Sequence, residues 1–301
     1  MNLSPRTEKT VVPLRSHIGL LIAVIIWAST FINIKIVLLQ VPPNTLAFLR
    51  FFIASIVLVL YAWLTGKPLI ARKDLPWAAV SGLTGVTLYN FFQNQGLKSA
   101  GAVDAAIIAS MAPVFMAILA WLVLKENITR KQILGIIIAF AGSILVATKG
   151  SLSGLNLDSA KVWGDILILL TGLVWACYNI SLKKLLDRYP PETVLTYSTV
   201  LGTLFLLPLI FPELPFAIGE VSLWSWVNIF YLGLLASAVA YLLWNRALTK
   251  VTTVAAGAYI YLIPFLAALI AAVFLQEIPD IYTVCGGIMA LAGTYFASTA
   301  K

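Results

Sequence analysis

The chain has 301 residues, 61% of them hydrophobic and only 11% charged. Soluble domains carry about 25% charged residues, so this composition excludes an ordinary soluble enzyme or binding module. The net charge of +8 comes largely from segments between apolar runs. It reads as membrane orientation and not as nucleic-acid binding.

Residues 1–16 are polar, and the apolar run that follows is too long for a signal-peptide core, so no cleavable signal is expected. Runs of about 20 apolar residues span a bilayer as helices. Ten are predicted, at 17–39, 44–64, 76–96, 101–124, 129–148, 162–182, 192–211, 223–245, 252–275 and 281–298. Short connections at 41–43 and near Glu126 make their flanking helices antiparallel hairpins.

The first predicted helix carries Trp27 at mid-span, Asn33 beyond it and Lys35 near the far end, where it can snorkel. The second holds Arg50 within the run. A charge at a helix centre costs about 2.5–3.5 kcal/mol on insertion scales, so it needs a partner or water. Arg50 either holds a substrate carboxylate or bonds helix-end carbonyls and stabilises the bundle. The third helix carries Tyr89, Asn90, Gln93 and Asn94, and the last three share a face by helical spacing. Facing lipid would be costly, so this face turns inward. It then lines a cavity or makes interhelical bonds worth about 0.6 kcal/mol each.

Pro113 and Pro264 fall at the centres of the fourth and ninth predicted helices. Each removes a backbone donor and should free a carbonyl, at Ala109 and Ile260 respectively. A hinge and a fixed packing kink are both consistent with that. Small residues repeat at four-residue spacing on the fifth helix (Gly135, Ala139, Ser143) and the tenth (Gly286, Ala290). They permit close packing within one chain or in a homodimer.

The sixth helix adds Trp175, Tyr178 and Asn179, the eighth Tyr241, Trp244 and Asn245, and the ninth Tyr259 and Tyr261. Tryptophan usually resides in the interfacial belts. Trp63, Trp77, Trp163, Trp224 and Trp226 fit that role, whereas Trp27 and Trp175 lie mid-span. Those two either stack on a substrate ring or are lipid-facing or packing residues. A neutral, aromatic-rich cavity suits a zwitterionic or aromatic solute and not a phosphate-rich one.

Sidedness follows from Lys and Arg. With the N-terminus inside, fifteen cations fall in inside segments and three, Lys98, Lys149 and Lys161, in outside segments. This is a strong positive-inside pattern, with both termini cytoplasmic. All twelve acidic residues lie in loops or at span ends, and the sole histidine, His17, is at an edge. Proton relays usually place such groups inside the membrane. A facilitator driven by the solute's own gradient, or coupling through groups that the sequence does not identify, is therefore expected. Glu126 and Glu277 end their helices, as coupling groups, solvated turns or helix caps. Cys177 and Cys285 lie in apolar runs without CxxC spacing. No disulfide, metal site or cofactor is expected, and no cluster of nucleophile and base suggests an enzyme.

The chain also repeats. Trp27 and Trp175, Lys35 and Lys183, and Pro43 and Pro191 are 148 positions apart. Asn94 and Asn245, Pro113 and Pro264, Glu126 and Glu277, and Gly142 and Gly293 are 151 apart. Five helices per copy is an odd number, so the copies enter the membrane from opposite faces. The predicted units are 1–150 and 151–301, an all-α membrane protein of two inverted repeats.

Three stretches carry a family resemblance: FLRFFIA at 48–54, PVFMAILAWLVLKENITRKQILGIIIAFAG at 113–142 and PFLAALIAAVFLQEIPDIYTVCGGIMALAG at 264–293. The chain resembles the drug/metabolite transporter superfamily in its ten-helix EamA branch. The counterpart of 48–54, near Tyr197 and Ser198, lacks the arginine, so no matching charge is implied there. The resemblance implies a substrate pathway between the halves, on helices one, three, four, six, eight and nine. It also implies export of small neutral or aromatic metabolites, amino acids foremost, by alternating access in a bacterial inner membrane. A multidrug or other metabolite exporter of the same superfamily is the alternative. The expected partners are a small-molecule substrate, the lipid bilayer and, on one reading of the glycine stripes, a second copy of the chain.

Overall fold

The structure is a computed structural model that describes residues 13–99, 108–109, 111–148, 159–214, 216, 218–275 and 280–299. Helical stretches that abut are numbered here as one element. The first two helices are α1, Leu14–Leu38, and α2, Pro43–Leu64. Next, α3 covers 75–99 and contains a π-helical stretch at Leu83–Leu88. The following helix, α4, covers 112–124 and ends in π geometry over Ala120–Leu124. Then come α5, Arg130–Thr148, α6, Ser159–Leu186, and α7, Pro191–Ile210. A second long π stretch, Leu232–Val239, lies inside α8, Leu223–Leu248. Finally, α9 covers 253–275, through a 3-10 turn at Tyr259–Leu262, and α10 is Ile281–Thr299. No strand occurs among the described residues.

Among the described residues, six helices are long and apolar enough to cross a membrane: α2, α6, α7, α8, α9 and α10. Leu14–Thr30 and Ala112–Leu124 are shorter apolar helices. Large apolar side chains cover the outer faces, among them Trp63, Leu64, Trp121 and Trp163. Of the expected belt residues, Trp226 is the half-buried exception and packs on Phe230.

Local chemistry sets the helix starts. Proline stands at the first position of α2 and of α7, where a missing N–H is no loss. Ser222 and Thr252 cap α8 and α9 through their hydroxyls. Thr129 and Gln132 form a reciprocal capping box before α5: each side-chain oxygen accepts from the other residue's main-chain N–H. The chain enters that turn through Lys125 at a left-handed φ of 58°.

Helix pairs from opposite ends of the chain form the bundle: α1 with α8, α3 with α6, α2 with α7, and α5 with α10. Glycines allow the closest approaches. A Cβ at Gly142 would lie 2.5 Å from the Gly286 carbonyl, and one at Gly293 would lie 2.5 Å from the Gly135 carbonyl. The small-residue stripes of α5 and α10 therefore face each other within one chain. Gly82 of α3 and Gly202 of α7 meet in the same way.

Both prolines sit differently from expectation. Pro113 is not mid-helix: a turn at Met111 precedes it, and it occupies the first turn of Ala112–Leu119. Pro264 is the second residue of Ile263–Leu275, just after the 3-10 turn. The Ile260 carbonyl is not free either, because it accepts from the Ile263 N–H. The helices break before each proline, so the ring replaces an N–H that had no i−4 partner to lose.

Candidate functional site

Lys and Arg cluster at one end of the bundle, here called the basic end, where α2 meets α3, α6 meets α7 and α8 meets α9. Ion pairs tie that end together. Asp74 accepts from Arg188 at 2.7 Å and from the Tyr189 hydroxyl at 2.7 Å. Glu192 accepts from Arg246 Nε at 2.9 Å. Lys183 donates to the carbonyls of Leu248 and Val251 and so closes the last turn of α8. Glu126 does not cap its own neighbour α5. Its carboxylate accepts from the N–H and hydroxyl of Thr253, at the start of α9. At the opposite end Glu213 caps α2 through the N–H groups of Asn44 and Thr45.

Between the two ends, aromatic rings from α1, α3, α6 and α8 converge. Trp27 meets Trp175, Tyr241 and Trp244 at centroid distances of 5.4, 5.5 and 5.3 Å. Trp175 also packs on Tyr89 at 5.4 Å and on Tyr178 at 5.1 Å. Phe51 of α2 adds an edge contact to Tyr241 at 6.0 Å. Edge-to-face and tilted pairs of this kind are favourable beyond their buried area. Burial is graded: Trp244, Tyr178 and Asn179 are 0% exposed, whereas Trp27 and Tyr89 are half-buried.

The polar tips show what this centre lacks. Trp244 Nε1 donates to Asn179 Oδ1 at 2.8 Å, and Asn179 Nδ2 donates to the Trp175 carbonyl. Tyr178 donates weakly to Asn245 Oδ1, at 3.5 Å. Trp27 Nε1 donates to the Ala236 carbonyl, and the Tyr241 hydroxyl to the Gly85 carbonyl. Both of those carbonyls lie in π stretches, where the main-chain ladder is displaced. By contrast, Trp175 Nε1 and Asn245 Nδ2 are buried and have no acceptor among the described residues. Arg50 is 6% exposed; its Nε donates to Ser237 Oγ and its guanidinium lies 5.0 Å from the Phe51 ring centroid. Tyr89 and Tyr241 lie within its electrostatic reach. The carboxylates named above are all committed at the two ends. Among the described residues the centre thus leaves two buried donors without acceptors, which complements a ligand carrying a carboxylate.

Of the other candidate residues, Gln93 touches the rings through the Tyr89 hydroxyl and the rest stand apart. Asn90 Nδ2 bonds the Val86 carbonyl within α3, and Gln93 Nε2 donates to Tyr89. Asn33 Nδ2 returns to the Ser29 carbonyl. Asn94 Nδ2 reaches the Pro43 carbonyl of α2, so it joins two helices. Tyr259 pairs with His17 Nδ1 of α1 at 2.6 Å, whereas Tyr261 packs on Phe140 of α5 and its hydroxyl has no partner among the described residues. The side chain of Lys35, and all of Glu277, lie outside the described residues. Phe51, Gly85, Ala236 and Ser237 were not legible as part of this centre from composition or motif.

Long apolar helices closed around such a centre make the chain an integral membrane protein. The model of the EamA-like transporter family matches residues 14–148 and again 162–299, and the chain belongs to that family. It is 35% identical to an "Uncharacterized transporter" of Archaeoglobus fulgidus, over 95% of this chain and 98% of that one. A "Probable terminal-alkyne amino-acid exporter" of Streptantibioticus cattleyicolor is 31% identical, over 91% of this chain and 90% of that one. A "Probable amino-acid metabolite efflux pump" of Salmonella typhimurium is 26% identical over 91% and 92%. A crystal structure superposes with a TM-score of 0.81 at 19% identity, covering 96% of this chain and 99% of that one, and so shares the fold.

Proposed function

We propose that this transporter exports small neutral or aromatic amino acids through the ring-lined centre. The observation that carries the reading is the surplus of donors there: Trp175 Nε1, Asn245 Nδ2 and a guanidinium with one hydrogen bond. An amino acid brings two carboxylate oxygens to those donors and a side chain to the rings. The names of two relatives point to the same solute class.

The working architecture is ten spans in two inverted five-helix units, 1–150 and 151–301, with the basic end and both termini in the cytoplasm of a bacterial inner membrane. The double match of the family model and the pairing of α1 with α8 and α3 with α6 support that plan. Alternating access then exchanges the ion-paired basic end with an open one. The graded burial is what a path entering from the opposite end would give. The solute must bind the two states differently to drive the exchange. Pro113 and Pro264 mark the breaks where α4 and α9 would flex. Coupling uses the solute's own gradient, and the carboxylates at the basic end serve as caps and ion-pair partners.

The test is flux of labelled phenylalanine, leucine and a cationic dye into proteoliposomes, with and without a pH gradient. Saturable amino-acid flux that survives collapse of the gradient is expected. Flux of the dye alone, or flux that vanishes with the gradient, would overturn the reading.

A further inference from the structure

A second site lies on the outside of the bundle, at the basic end. Between α2 and α7 there is a groove of about 480 Å3. Val59 and Ala62 of α2 form one wall, and Val200 and Leu201 of α7 the other. Leu75 closes the end where the chain turns into α3. From Thr193 to Leu201 the lining follows α7 over eight residue steps, about 12 Å at 1.5 Å per step. The groove is therefore an elongated, mostly apolar slot, with Thr193, Thr196 and Tyr197 on its α7 side.

Its mouth is different. Lys67 and Trp63 stand there, and Trp63 is 76% exposed, as an interfacial anchor would be. Lys67 Nζ is 3.9 Å from Glu192 Oε2, at the outer limit of an ion pair. The other oxygen of Glu192 is taken by Arg246. Lys67 is thus loosely held, and Arg72 and Lys73 follow in the next turn. Exposed apolar residues continue the slot's flanks: Leu60 and Leu64 on α2, Leu204 and Phe205 on α7.

An apolar slot open to the hydrocarbon with a cation at its interfacial end has the shape and charge of an amphiphile's complement. We infer that the groove seats one acyl chain of an anionic glycerophospholipid, with its phosphate at Lys67. The site is separate from the ring-lined centre, and its occupant does not depend on which solute the transporter moves. It spans helices from both predicted halves, so an occupied groove would brace α2 against α7.

Native mass spectrometry of the purified full chain, titrated with phosphatidylglycerol or phosphatidylcholine, tests this. One phosphatidylglycerol should be retained preferentially, by about fivefold for a single lysine near the headgroup. Lys67→Gln should abolish the preference while leaving one lipid bound. Val200→Trp fills the slot and should release both lipids. Lys67 is only part-buried and its ion pair with Glu192 is long, so the glutamine variant, which keeps a polar side chain there, decides the matter even where the tryptophan variant folds poorly. Equal retention of the two lipids by the unaltered protein, or an unchanged preference in Lys67→Gln, would overturn the proposal. So would one uncharged amphiphile held as tightly.

Discussion

Gly85 and Ala236 stand 151 positions apart, and their carbonyls do the same job. Gly85 accepts from the Tyr241 hydroxyl at 3.3 Å, and Ala236 accepts from Trp27 Nε1 at 3.1 Å. Each acceptor lies in a π stretch of its own helix. Each donor comes from the other half of the chain. In the π stretches the α-helical ladder is displaced, and there a carbonyl, which has two lone pairs, accepts from a ring donor of the opposite half.

Gly85 also touches a ring: a Cβ there would lie 2.3 Å from Tyr178 Cδ2. Gly85→Ala should push Tyr178 out of the cluster, at a cost of about 1–3 kcal/mol in stability. Thermal unfolding in detergent should report the loss. Amino-acid uptake should fall more than expression does.

Trp175→Phe removes a buried donor that has no acceptor among the described residues. That donor costs stability while unpaired, so the variant should unfold no earlier than a cavity-forming change of equal volume would predict. Its KM for phenylalanine should rise about tenfold, since a hydrogen bond to a charged group is worth about 1.5–3 kcal/mol. A KM equal to that of the parent would remove Trp175 from the solute's contacts.

Arg50→Gln separates two roles. If the guanidinium meets the solute's carboxylate, the folded variant should lose at least about tenfold in affinity for amino acids. Phenethylamine, which lacks the carboxylate, should bind both proteins alike. Loss of folded protein, with Ser237 left unbonded, would instead mark Arg50 as structural.

Gly142→Val tests the packing of α5 on α10. The added Cβ meets the Gly286 carbonyl at 2.5 Å, a main-chain atom that cannot step aside. Size-exclusion chromatography should show aggregation or loss of the folded peak. Gly219→Ala, with nothing within 4 Å of its new Cβ, should behave like the parent.

The apolar runs were legible because hydropathy and helix length are set by the same bilayer. The bounds of α2 and α7 were legible because Pro43 and Pro191 announce them. The breaks before Pro113 and Pro264 were not, since a turn at Met111 and a 3-10 turn at Tyr259–Leu262 are as apolar as the helices they interrupt. The π stretches are invisible to hydropathy for the same reason. Glu126 misled because its cap partner, Thr253, is 127 residues away. Two signals were readable and passed over. Thr129–Gln132 has capping-box spacing. Tyr259 and Tyr261, two residues apart, cannot share a helix face, and they turn to α1 and α5 respectively.

The most direct test of the ring-lined path is side-specific labelling at one position. Tyr89→Cys, in a background with Cys177 and Cys285 replaced by alanine, places a thiol on the less buried side of the rings. A membrane-impermeant maleimide should label it from the face opposite the basic end, and saturating phenylalanine should protect it. Labelling that ignores phenylalanine, or that comes only from the basic end, would contradict the account.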